Sequence, residues 1–260
     1  MALRNIGATF EHYRLVEYDK YPVASYNAIH GTSFEPTDIT KINGSDLGIV
    51  DKDKYCYIMT YSFPCQDLSV AGKQAGMEKG SGTRSGLLWE VERLLNECEE
   101  LPQVLLMENV PQLHGKKNME DFQKWIDFLE SKGYSNYWQD LNAKNYGIPQ
   151  NRNRCFMISL LGNYTYEFPK PIPLTKTMKD FLEDEVDEKY YINSEKALKL
   201  IETLQENGTI PGKKEFARQC IDLSLNNPRS IENANCIKAR YDAGISNFRA
   251  DGSGVVEKFG

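Results

Sequence analysis

The chain has 260 residues, enough for one large domain or a domain and a half. Hydrophobic residues make up 40% and charged residues 26%, an ordinary balance for a water-soluble fold, and no stretch approaches the roughly 20 apolar residues that a membrane span needs. A net charge of -6 does not advertise nucleic-acid binding, yet it does not exclude it, because a local basic cleft can serve on an acidic protein.

The first ten residues carry no long apolar core, so no secretory signal is visible. The six cysteines (Cys56, Cys65, Cys98, Cys155, Cys220 and Cys236) form no CxxC pair and no zinc spacing, which points to a reduced, cytosolic protein without a metal, its thiols mostly buried. In chain order, residues 13–17 read as a strand ending in the acid Glu17. Residues 20–30 read as a helix closed by Gly31. Residues 38–42 read as a short strand or a turn at a strand end. A strand is expected over 55–60, followed by the loop that holds Pro64 and Cys65. Leu87, Leu88, Val91, Leu94 and Leu95 recur near a 3.6-residue period, which predicts a helix over 87–99. A buried strand over 103–107 follows. Phe122, Trp125, Ile126, Phe128 and Leu129 predict an amphipathic helix over 118–131, stopped by Gly133. Strands are expected over 137–142 and 155–161. This alternation favours an α/β domain with a mostly parallel sheet, whose ligands bind at the carboxyl ends of the strands. A stiff proline-rich linker covers 168–173. The acidic run 180–188 reads as a solvated helix face, and 194–206 as a helix before a polar tail.

Three segments carry candidate chemistry. Cys65 follows Pro64 in a loop between a strand and a helix, where backbone N–H groups can stabilise a thiolate; the plain alternative is a packed core thiol. Glu108 follows the apolar run Val104-Leu105-Leu106-Met107, where desolvation would let a carboxyl hold or deliver a proton; the alternative is a cap or turn residue. Arg152 and Arg154 alternate, so on a strand they point the same way and can grip a carbonyl oxygen or a phosphate; the alternative is a solvated edge strand. Glu17 at a strand end has the place of an acid that accepts from ribose hydroxyls. Tyr18 can stack on an adenine ring, and Asp38 can read the adenine amino group. His12, His30 and His114 lie in no motif with Cys65, which leaves a thiol hydrolase a weak reading.

Together these segments resemble the DNA (cytosine-5)-methyltransferase family, in the style of its bacterial and phage members. The matching order is Glu17-Tyr18-Asp19, Asp38-Ile39-Thr40, Phe63-Pro64-Cys65-Gln66-Asp67-Leu68-Ser69-Val70-Ala71-Gly72-Lys73, Arg84-Ser85-Gly86-Leu87, Glu108-Asn109-Val110, and the run from Asn142 to Arg154 that contains Gln150-Asn151-Arg152-Asn153-Arg154. The resemblance implies a Rossmann-like sheet that uses S-adenosyl-L-methionine and no metal, with a catalytic domain over 1–172 and part of a target-recognition region over 173–260. It implies double-stranded DNA as partner and a target cytosine swung out of the helix. Cys65 would attack C6 and Glu108 would hold N3 and the amino group. Arg154 would contact the ring oxygen, with Arg152 in support. The cofactor would lie against Glu17, Tyr18, Asp38, Ile39, Phe63, Pro64 and Leu87. Gln66, Ser69, Lys73 and Arg84 would fall in the loop that closes on DNA.

Two departures bear on this. The family begins with a strand and a glycine-rich turn, whereas residues 1–7 look like the end of the helix after that turn, so the sheet is expected to lack its first strand. No closing segment of the family is found before Gly260. The expectation is therefore a chain truncated at both ends. The alternatives to an active enzyme are an inactive truncated remnant and one half of a split enzyme completed by a second polypeptide. A tRNA-directed relative is the remaining alternative substrate class.

Overall fold

A computed structural model of the chain describes residues 2–65, 68, 76–80, 84–210, 218–226, 228–236, 245 and 252–256. Two compact units emerge. The first comprises residues 1–138 and 155–167, the second 139–154 and 168–260.

The first unit opens with a single helical turn, α1 (Ala2–Asn5), and an extended stretch. Helix α2 (Lys20–His30) starts where Asp19 accepts the Tyr21 N–H at 2.9 Å and stops at Gly31, whose φ of 67° suits a residue without a Cβ. Residues 13–17, expected as a strand, form none. Their β-prone side chains meet no neighbouring strand among the described residues, and the Thr37 N–H bonded to the Glu17 carbonyl (2.7 Å) is not a ladder. Of the two readings for 38–42, the turn is realised, as a 3-10 turn (Ile39–Lys41) capped by Asp38.

Strand β1 (Ile58–Tyr61), helix α3 (Leu88–Glu97), strand β2 (Val104–Asn109), helix α4 (Met119–Ser131), strand β3 (Tyr134–Asn142), the two-residue strand β4 (Gln150–Asn151) and strand β5 (Asn153–Leu161) follow. The main sheet has the order β1-β2-β5-β3. Strands β1 and β2 run parallel, with Tyr61 beside Met107. Strands β2 and β5 run antiparallel, with Asn109 beside Cys155, so the expected mostly parallel sheet is mixed. The two directions differ because β5 does not enter the sheet through a helical crossover from β2. Leu105, Met107 and Asn109 alternate as the buried face of β2, matched by Cys155, Met157 and Ser159 on β5. Helices α3 and α4 bury Leu88, Trp89, Val91, Leu95, Phe122, Trp125, Ile126 and Leu129 in the same core as Tyr61, Leu105, Met107 and Met157. Trp125 Nε1 donates to the Tyr61 hydroxyl at 3.0 Å, which ties α4 to the end of β1.

In the second unit, helix α5 (Glu195–Glu206) is capped by Ser194. Strands β6 (Gln219–Asp222) and β8 (Ser253–Val256) pair antiparallel, and strand β7 (Ala234–Asn235) pairs parallel with β4. Ala197, Leu200, Leu204, Ile221 and Val256 form a separate small core. The acidic run is not the expected helix face. It holds short 3-10 turns, because Asp180 accepts the Thr177 N–H and Asp187 the Lys189 N–H, and carboxylates bonded to nearby backbone compete with a continuous helix. The proline-rich segment is bonded into the unit: the Ile172 N–H donates to Asn145 O at 2.9 Å and the Tyr146 hydroxyl to Pro169 O at 3.0 Å. No helix among the described residues is long and apolar enough to cross a membrane.

Candidate functional site

Parallel pairing of β1 and β2 brings their carboxyl ends side by side, the end at which α/β sheets bind ligands. The chain leaves β1 through Ser62, Phe63 and Pro64 to Cys65, and the backbone around Cys65 is fixed from three directions. Asn109, buried at the end of β2, donates from Nδ2 to Phe63 O at 3.1 Å while its Oδ1 accepts the Val110 N–H at 2.8 Å. Ser85, fully buried in the 3-10 turn before α3, donates to Pro64 O at 2.5 Å. The Leu68 N–H closes a turn on Cys65 O at 3.0 Å. Pro64 adds a locked φ. Cys65 is half-buried and rests against the apolar core. A thiol held this way does not have to be positioned at the moment of reaction.

Glu108 sits beside Asn109 on β2 but on the opposite face, across from Phe156 of β5, and it is half-buried. The two neighbours therefore divide the work at this strand end: Asn109 faces the core and fixes the loop, and Glu108 offers a carboxyl on the other side of the strand.

In the second unit Arg152 and Arg154 do point the same way. Nη1 of Arg152 lies 3.4 Å from Cys236 Sγ and Nη2 of Arg154 lies 3.6 Å from it, while Arg154 Nη1 also donates to Asn153 O at 2.7 Å. Cys236 follows β7 directly and Arg152 follows β4 directly, so the parallel β4–β7 pair brings the sulfur to the arginines. Sequence reasoning left Cys236 unassigned. Its contacts with the arginines bridge 84 and 82 positions, and no local spacing signals them.

Four of the residues expected at the cofactor, Glu17, Tyr18, Asp38 and Ile39, lie on two neighbouring segments of the first unit. The Thr37–Glu17 backbone bond draws the segment with Glu17 and Tyr18 to the segment with Asp38 and Ile39. Glu17 Oε1 accepts the Asp19 N–H at 2.8 Å. Asp38 Oδ1 accepts both the backbone N–H (2.9 Å) and the hydroxyl (2.8 Å) of Thr40, and these bonds hold its carboxyl below the usual carboxylate range. Each acid keeps a second oxygen able to accept from a hydroxyl or an amine. The Tyr18 ring is 76% exposed, Ile39 packs on the core and receives Arg93 Nη2 on its carbonyl at 3.0 Å, and Leu87 is half-buried at the start of α3. Two oriented carboxylates, an open aromatic face and apolar neighbours are the donor set a nucleoside-bearing cofactor requires, so the residues fit it. Gln66, Ser69, Lys73 and the side chain of Arg84 lie outside the described residues.

Solved structures place this fold in a class. The chain superposes on the Dnmt2 methyltransferase of S. pombe with a TM-score of 0.58 at 21% identity, covering 81% of this chain and 62% of that one. The likeness shows a Rossmann-like fold. The sequence then fixes the family: the C-5 cytosine-specific DNA methylase model matches residues 1–255, and the chain belongs to that family. The type II methyltransferase M2.ScrFI of Lactococcus lactis subsp. cremoris is 50% identical over 155 residues, covering 58% of this chain and 42% of its own length. The orphan methyltransferase M.SssI of Spiroplasma monobiae is 50% identical over 176 residues, covering 65% and 43%. The chain thus spans less than half the length of these two relatives.

Proposed function

We propose that this protein is a DNA (cytosine-5-)-methyltransferase, moving a methyl group from S-adenosyl-L-methionine to C5 of cytosine in double-stranded DNA in the cytoplasm. Residues 1–172 act as the catalytic domain, and 173–260 belong to the target-recognition region. The observation that carries the reading is the Cys65 loop, clamped by Asn109 and Ser85 at the carboxyl end of β1 with Glu108 on the neighbouring strand.

C5 of cytosine is a poor nucleophile, and C6 is buried in the base stack until the nucleotide is swung out. Sγ of Cys65, as thiolate, bonds to C6 and pushes electron density to C5. Glu108 holds N3 and the exocyclic amine, which stabilises the enamine that forms. Arg154 takes the ring oxygen and Arg152 supports that grip through their shared contact with Cys236. When bound, the cofactor supplies an electrophilic methyl group on sulfur. Glu17 would bind its ribose, Tyr18 its adenine face, and Asp38 with Ile39 the adenine edge; Phe63, Pro64 and Leu87 would complete the cofactor-binding wall. After C5 has taken the methyl group, its proton leaves to base, the C5–C6 double bond re-forms and the Cys65 thiolate is expelled. Gln66, Ser69, Lys73 and Arg84 are assigned to DNA contact.

Duplexes carrying 5-fluorocytosine test this directly, because fluorine cannot leave as a proton does. With S-adenosyl-L-methionine present, a covalent complex is expected with its bond at Cys65, mapped by peptide mass spectrometry. Cys65→Ser should give no complex while keeping the native circular dichroism spectrum. A complex at another residue, or none with the native chain, would sink the proposal.

A further inference from the structure

The segment over 229–236 does more than carry Cys236. It walls an open recess of about 270 Å³ lined by Lys144, Asn151, Arg229, Glu232, Asn233 and Asn235. Lys144 and Arg229 are exposed, and neither forms an ion pair among the described residues. The lining sets two cations against one carboxylate, a local positive site on a chain of net charge -6. Its hydrogen-bonding capacity is also not used up from within. Asn151 accepts from Asn142 Nδ2 at 2.8 Å, which leaves its own amide N–H groups to donate. Asn235 holds the floor rigid, donating from Nδ2 to Gly252 O at 2.9 Å and from its backbone N–H to Ser253 Oγ at 2.7 Å.

We propose that this recess takes a backbone phosphate of duplex DNA between Lys144 and Arg229, with the Asn151 amide donating to it. The proposal rests on the DNA reading given above. The recess stands on the β4–β7 ribbon, whose far side continues into Arg152 and Cys236. A strand of DNA seated there is therefore held on the same ribbon that fixes the arginine pair.

The test is the salt dependence of DNA binding. Affinity of the full chain for a labelled duplex is measured by fluorescence anisotropy at several salt concentrations, for the native protein, Lys144→Ala, Arg229→Ala and the double variant. Lys196→Ala, on the exposed face of α5, controls for net charge. Each recess substitution should reduce the slope of log affinity against log salt by about 0.9, and the pair by about twice that, with the Lys196 variant unchanged. Unchanged slopes in the recess variants, or an equal loss in the Lys196 variant, would overturn the recess while leaving the methyltransferase reading standing. Absence of DNA binding by the native chain would remove both.

Discussion

The residue that fixes the loop carrying Cys65 to the end of β2 is Asn109. Its amide makes two buried bonds, one to the loop that carries the thiol and one to its own strand end, so it sets the distance between them. Replacing it with alanine leaves Phe63 O buried without a donor, at a cost of about 1–3 kcal/mol. Asn109→Ala should therefore lower the denaturation midpoint by that amount, read from urea unfolding, and slow formation of the 5-fluorocytosine adduct without moving it from Cys65. An adduct that forms at the native rate in a destabilised Asn109→Ala chain would mean that Asn109 is a core residue and nothing more. Neither Asn109 as a clamp nor Ser85 was legible in the sequence. Cys65, Glu108 and the arginine pair stood out there as candidates, because each sits in a contiguous run whose residue types point to chemistry. The clamps join positions 46 and 21 apart, and Cys236 reaches 84 positions back to Arg152. Such bonds are set by which strands lie together, information a local pattern does not carry.

At the scale of elements, the amphipathic helices were readable and the strands less so, for one reason. A helix satisfies its backbone within itself, so the spacing of Phe122, Trp125, Ile126 and Leu129 is enough to define α4 and the face it buries. A strand exists only by pairing. Residues 13–17 have the side chains of a strand and no ladder, while β2 runs two residues past its expected end because Glu108 and Asn109 pair with Phe156 and Cys155. The direction of β5 was equally invisible, since alternation along a strand is the same in either sense. The α4 face has a quantitative consequence. Leu129 is fully buried in the first unit's core, and Leu129→Ala should cost about 2–5 kcal/mol in urea unfolding followed by tryptophan fluorescence. Leu198 on α5 is 61% exposed, and Leu198→Ala should change stability by no more than about 0.5 kcal/mol. Equal losses from the two would contradict the burial pattern.

Among the described residues, the carboxyl and imidazole groups whose titration folding perturbs all favour neutral pH over acid. Asp38, Asp180 and Asp187 are held below the carboxylate range by backbone N–H groups at turn starts, and Glu97 first by the Arg93 guanidinium and then by the Gly44 N–H. A carboxylate with a depressed folded-state pKa stabilises the fold above its unfolded value, about 4, and that stability is lost as pH falls through the folded value. His30 acts earlier. Its ring packs 4.4 Å from His12 and 4.5 Å from Tyr26, and desolvation, then the charges of His12 and Arg4, lower its pKa. Between the unfolded value of about 6.5 and the lower folded one, the unfolded chain binds more protons, so stability falls as the solution is acidified. Thermal melting should thus be level from about pH 8 to 7, decline gently below about 6.5, and fall steeply below about 4. His30→Gln should flatten the first decline and leave the second. If the variant still loses stability between about pH 6.5 and 5 as the native chain does, the histidine cluster is not its source.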